Sequence, residues 1–181
     1  MTESDHALVQ AAKGGALDAF DRLMLRYEKL VCKVAMHHVR TKQNALDVTQ
    51  NVFLKVYRNL DSVTAEGMFK PWLLRITYNE SINWIRKGKR HEGHDELEHA
   101  ELSAAAAADQ EATLVRHERQ QQLIGGMKQL NPKYRLALAL RYAEGLRIRE
   151  IADVMDCSEG MVKSLLFRGV RQIKDRVAKS A

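Results

Sequence analysis

The sequence predicts an all-α protein made of two small helical domains joined by a linker, and three observations carry that expectation. Only two prolines occur in 181 residues. Alternating β-branched runs are scarce, and apolar residues recur at spacings of three and four along the chain. With 45% hydrophobic residues there is enough apolar material for a core, and the length suits one domain or two small ones.

Taken in order, Phe20, Leu23, Tyr27, Leu30, Val31 and Val34 form one helical stripe, and Val48, Val52, Val56 and Leu60 form a second. A third helix is predicted from Pro71, since proline suits the first helical position, through Trp72, Ile76 and Ile82 toward Arg86. These helices make a first domain over residues 1–88. From Gly88 the pattern stops. "GKRHEGHDELEHAELSAAAAADQE" is acidic with little apolar periodicity, so residues 89–112 read as a flexible linker whose second half has helical character.

The second domain, 113–181, opens with a helix from about residue 112 that Gly125 and Gly126 interrupt. In "LNPKYRLALALRYAEG", Asn131 is an N-cap, Pro132 takes the first helical position and Gly145 follows the last turn. "RIREIADVMD", the break "CSEG" and a final helix then have the layout of a helix-turn-helix, with Ile148, Ile151, Met155 and Val162 as its core.

Charge is distributed to match. Residues 1–88 hold 13 cations and 9 acids, 89–112 hold 2 and 7, and 113–181 hold 14 and 7. Two basic blocks flanking an acidic connector suit a polyanion gripped at two places. No apolar run is long enough to span a membrane, and the polar start "MTESDHALV" is unlike a signal peptide, so a cytoplasmic protein is expected. Cys32 and Cys157 have no CxxC partner and read as small buried hydrophobes. The linker's His91, His94 and His99 match no recognised metal spacing. No catalytic residue, metal site or cofactor is expected.

The final helix supplies the sharpest clue. With Ser158 as N-cap and about 100° per residue, Val162, Leu166, Val170, Ile173 and Val177 share a core stripe. Ser164, Arg168 and Arg171 point away from it, with Lys163, Leu165 and Phe167 on the borders. A hydroxyl and two arginines facing outward on the second helix of a helix-turn-helix suit a DNA major groove.

"ALDVTQNVFLKVYRNL", "FKPWLLRITYN" and "LRYAEGLRIREIADVMDCSEGMVKSLLFRGVRQI", in that order, resemble bacterial RNA polymerase sigma factors of the extracytoplasmic function group, a sigma-70 subfamily. The resemblance covers both blocks and omits the linker. It implies a sigma region 2 domain that binds core polymerase and the minus-10 element, and a sigma region 4 domain that binds the minus-35 element. Asp47, Gln50, Asn51 and Phe53 would then meet the β′ clamp helices. Arg75, Asn79, Arg86 and Lys87 would contact minus-10 DNA, with further charge from Lys89 and Arg90, and the loop of residues 61–70 would receive a flipped base. Lys163, Ser164, Phe167, Arg168 and Arg171 would read minus-35 DNA.

The resemblance further implies core RNA polymerase (β′ clamp helices and β flap), promoter DNA and an anti-sigma factor as partners, in a stress or envelope response. Among the aromatics, Phe69, Trp72, Tyr78 and Trp84 invite base stacking, but Trp72 matches a buried family tryptophan. Arg147 departs from the family's Ser or Thr cap three residues before Glu150, and is expected to face a phosphate instead. Met161, Lys163 and Leu165 also depart from it, which bears on which minus-35 sequence is read. Two rival readings remain. A helix-turn-helix activator leaves "DVTQNVFLKVY" unexplained, and a metal-dependent enzyme lacks HExxH, a paired nucleophile and a phosphate loop.

Overall fold

A computed structural model describes residues 3–39, 41–91 and 130–180. Seven helices and no strand occur among the described residues. Helix α1 (Asp5–Lys13) starts where the Ala7 amide donates to Ser4 Oγ at 3.2 Å, and Asp5 places an acid in the first turn. The periodicity predicts three helices in this unit, and α1 is a fourth. It lacks a long stripe because Leu8 and Val9 alone are fully buried. Ionic contacts add to them: Asp5 accepts from Arg26 and Tyr27, and Glu3 from Arg22 at 2.6 Å. The Tyr27 hydroxyl, desolvated and beside Asp5, has its pKa raised.

Helices α2 (Leu17–Met36) and α3 (Lys42–Asn59) bury most of the expected stripes: Phe20, Leu23, Tyr27, Val31 and Val34 on α2, where Leu30 is only partly buried, and Val48, Val52 and Val56 on α3, with Leu60 just beyond. Thr41 caps α3, accepting from the Asn44 amide at 3.1 Å. Helix α4 (Phe69–His91) begins two residues before Pro71, which is tolerated within a first turn. It also runs through Gly88, where the apolar pattern ends, so residues 89–91 of the expected linker are helix. The rest of that linker, and the helix expected from about residue 112, lie outside the described residues. Buried Thr49, Thr77 and Ser81 return their hydroxyls to carbonyls four residues back at 2.7–2.9 Å, so small polar side chains sit in the bundle without orphaned donors.

Helix α5 (Pro132–Leu138) starts as expected, with Asn131 Oδ1 accepting from the Lys133 amide at 3.0 Å. It passes into a π-helical turn, Ala139–Ala143, and stops at Gly145, whose φ of 72° needs no side-chain accommodation. Helices α6 (Ile148–Met155) and α7 (Glu159–Ser180) follow, and Asp156 takes the left-handed conformation (φ 50°) in the turn between them. α7 lies close on α5. A Cβ at Gly169 would come within 2.9 Å of Leu138 Cδ1.

The two units share a core. One apolar cluster closes within α1–α4. The other joins Val34, Leu74 and Tyr78 of the first unit to Leu136, Leu140, Ile151, Met155, Val162 and Leu165 of the second. Of the expected helix-turn-helix core, Ile151, Met155 and Val162 are buried and Ile148 is partly buried.

Candidate nucleic-acid and polymerase surfaces

The turn before α7 aims its first residues outward. Ser158 Oγ accepts from the Met161 amide at 3.2 Å, which fixes the start of the helix, and buried Val162 sets its rotation. Lys163, Phe167, Arg168 and Arg171 are exposed, and Ser164 is half-buried on the same side. None of the three cations has an ion-pair partner among the described residues. One expectation changes here. Leu166, Val170 and Ile173, assigned to the core stripe, are only partly buried, whereas the border residue Leu165 is buried in the shared cluster. Leu165 belongs to the apolar cluster that both units share, so the buried stripe of α7 extends beyond the Val162 side.

Helix α4 presents Arg75, Asn79, Arg86 and Lys87 to solvent, and the first three fall within about 40° of one another on the helical wheel. Beside them α3 and α4 enclose a recess of about 440 Å³ lined by Asn51, Lys55, Arg58, Asn83, Arg86 and Lys87, with Glu80 its single acid. Glu80 is itself occupied, accepting from Lys55 and, at 3.4 Å, from Asn83. The net positive charge of this recess favours a phosphodiester chain over a neutral ligand. Lys55, Arg58 and Asn83 were missed in the sequence. Their signal was the i+4 and i+7 spacing of Lys55 and Arg58 from Asn51.

The stacking idea fails for two of the four aromatics. Phe69 and Tyr78 are buried, and Trp72 and Trp84 are partly buried against the first core. In the loop of residues 61–70, Gly67 takes φ 74° and Met68 is exposed.

On α3, Asp47, Gln50 and Asn51 share an outward face, with Gln43 Nε2 donating to Asp47 Oδ1 at 3.3 Å. Phe53 does not join them. It is 6% exposed inside the first core, because it lies on the valine side of the helix. The apolar residue on the outward face is Leu54, 55% exposed. Leu54 and, one turn on, Tyr57 (57% exposed), flanked by polar side chains, suit a protein partner.

At the start of α6 half a capping box survives. The Arg147 amide donates to Glu150 Oε2 at 2.6 Å, while the guanidinium, which has no acceptor, cannot return the bond and stays in solvent. No helix among the described residues is long and apolar enough to cross a membrane, and no group of three or more metal-ligating side chains occurs among them.

Comparison with known proteins agrees with this layout. Residues 23–91 match the family model described as Sigma-70 region 2, and residues 120–173 match Sigma-70, region 4. The ECF RNA polymerase sigma-E factor of Escherichia coli is 32% identical over 96% of this chain and 94% of its own length. The RNA polymerase sigma-H factor of Pseudomonas aeruginosa is 34% identical over 92% and 90%. Among solved structures, the sigma factor RpoE of Bartonella quintana, in complex with the anti-sigma factor NepR, shares the fold at a TM-score of 0.70. Its identity is 21%, with 88% of this chain and 96% of that one covered. CnrH, in complex with the cytosolic domain of CnrY, gives a TM-score of 0.67 at 19% identity over 99% and 100%.

Proposed function

The chain belongs to the extracytoplasmic function sigma factors of the sigma-70 family, and from that premise we propose how its surfaces divide the work. As an RNA polymerase sigma factor it directs the core enzyme to promoters, and the reading as a free-standing activator is not favoured. The family is one of non-enzymatic transcription factors. The chain itself therefore does no covalent chemistry; it supplies contacts and geometry, in the cytoplasm.

The first unit, with its boundary moved from residue 88 to the end of α4, takes the polymerase through Asp47, Gln50, Asn51 and Leu54. Arg75, Asn79, Arg86 and Lys87, with the α3–α4 recess, hold minus-10 DNA. The second unit reads minus-35 DNA with Lys163, Ser164, Phe167, Arg168 and Arg171. Arginine can pair with a guanine edge, and Phe167 can touch a thymine methyl. The residues between the two regions tether them, and polymerase sets their spacing.

The observation that carries this division is one cationic face on each unit, each set by a buried stripe on the opposite side of its helix. The structural neighbour RpoE is a sigma factor held by the anti-sigma factor NepR, which supports an anti-sigma protein for this chain too. The test is transcription from a genomic library by core polymerase with and without the chain. Discrete start sites that need the chain are expected. Their absence, with tight binding to isolated duplex, would favour the activator.

A further inference from the structure

Helix α1 ends against the root of the loop of residues 61–70, and one lysine makes the join. Lys13, in the last turn of α1, donates from Nζ to the Asp61 carbonyl at 3.2 Å and to the Val63 carbonyl at 2.5 Å. Both carbonyls lie at the end of the short 3-10 turn Leu60–Ser62, and neither accepts a backbone hydrogen bond among the described residues. An ammonium with three donors suits such orphaned acceptors. A cation at a helix C-terminus is favourable in any case, but solvent exposure would satisfy that preference. Here the side chain instead bridges to backbone 48 and 50 positions away. The same root is held by apolar contacts, since Leu60, Val63 and Phe69 are buried in one cluster with Leu8 and Val9 of α1.

Beyond this anchored root the loop changes character. Residues 64–68 are all exposed, with Gly67 at φ 74° and Met68 52% exposed. The amides of residues 64–67 donate to no backbone carbonyl among the described residues. The stretch "DSVTAEGMF", residues 61–69, holds two acids and no cation. A phosphate is therefore disfavoured at the tip, whereas an uncharged base edge suits free amides beside one apolar side chain. The loop leads directly into α4, and Arg75 and Asn79 follow within its first three turns.

We infer that Lys13 is a positioning residue for base reading. By fixing the Asp61 and Val63 carbonyls it sets where the tip, and the base the tip takes, stand relative to Asn79. A tip held in advance loses less freedom on binding and keeps its donors aligned to one base edge, whereas a loose tip adapts to several. Lys13 is on α1, away from the α4 face that carries Arg75 and Asn79, so it acts through the loop alone. The consequence for base reading rests on the sigma-factor reading and on the loop's part in it, whereas the anchor itself does not.

The test is a scan of the minus-10 element. Core polymerase carrying the chain is given promoter duplexes from the mapped start sites, with each non-template base replaced in turn by an abasic site. The wild type should lose open-complex formation about tenfold or more at the base the tip takes. In Lys13→Met, which keeps the aliphatic stem, that loss should shrink about fivefold at this one position, at unchanged helix content and unchanged affinity for core polymerase. Lys13→Arg, which keeps donors for both carbonyls, should restore the wild-type profile. If Lys13→Met does not fold, Gly67→Val, which strains the tip alone, should flatten the profile at the same position. A wild-type profile in Lys13→Met, or an equal loss at every position, would overturn the assignment. If the chain directs no start site at all, the sigma-factor reading falls and the base-reading role with it. Hydrogen exchange of the free chain then still decides the anchor: Lys13→Met should speed exchange of residues 60–68 about tenfold relative to α2 and α3, and unchanged exchange would refute it.

Discussion

The first unit closes a core of its own among α1–α4, whereas the helix-turn-helix unit completes its core with Val34, Leu74 and Tyr78 from its neighbour. Small helical units have too little interior to bury every apolar side chain. What the second unit leaves over, chiefly on α6, becomes the surface that docks on α4. Independence and docking are thus two outcomes of the same stripe, decided by its width.

The comparison can be broken in the first core. Phe53→Ala should cost about 3–5 kcal/mol and unfold the first unit selectively, measured by denaturant titration with hydrogen exchange. Leu74→Ala should cost about 2–5 kcal/mol, and although Leu74 belongs to α4, the loss should appear as faster exchange in α5–α7 as well. If exchange rises only in α1–α4, the shared core is not a shared folding unit.

Subtler changes sharpen the contrast between core and surface. Leu54→Asp should leave stability within about 0.5 kcal/mol and weaken core-polymerase affinity roughly tenfold, about 1.4 kcal/mol, by fluorescence anisotropy. Arg168→Ala should reduce the slope of log affinity against log salt by about 0.9 for promoter DNA bound with polymerase, as loss of one phosphate contact requires, and Arg171→Ala likewise. Arg147→Ser should restore the missing arm of the capping box and raise stability by about 0.5–2 kcal/mol, while weakening promoter binding. Unchanged or tighter binding would mean that the guanidinium does not meet a phosphate.

Much of this was readable in advance. The stripes on α2 and α3, the caps Ser158 and Asn131, and the outward arginines of α7 follow from local rules, because a cap needs only its own first turn and a stripe only its own helix. Phe53 was misplaced because an aromatic next to polar contact residues looks like part of their surface until the helix rotation is known. α1 was missed because two buried side chains make no periodicity, and its Asp5 contacts come from residues more than twenty positions away.

The sequence alone therefore determined the helices from α2 onward among the described residues, their order and the faces that carry charge, all set by spacings within a turn or two. Only the tertiary structure decided where Leu165 goes, that Arg135 meets His37 across 98 positions, and that the two units close on each other. Those depend on which apolar surfaces remain uncovered once each helix has packed locally, a quantity no single helix carries.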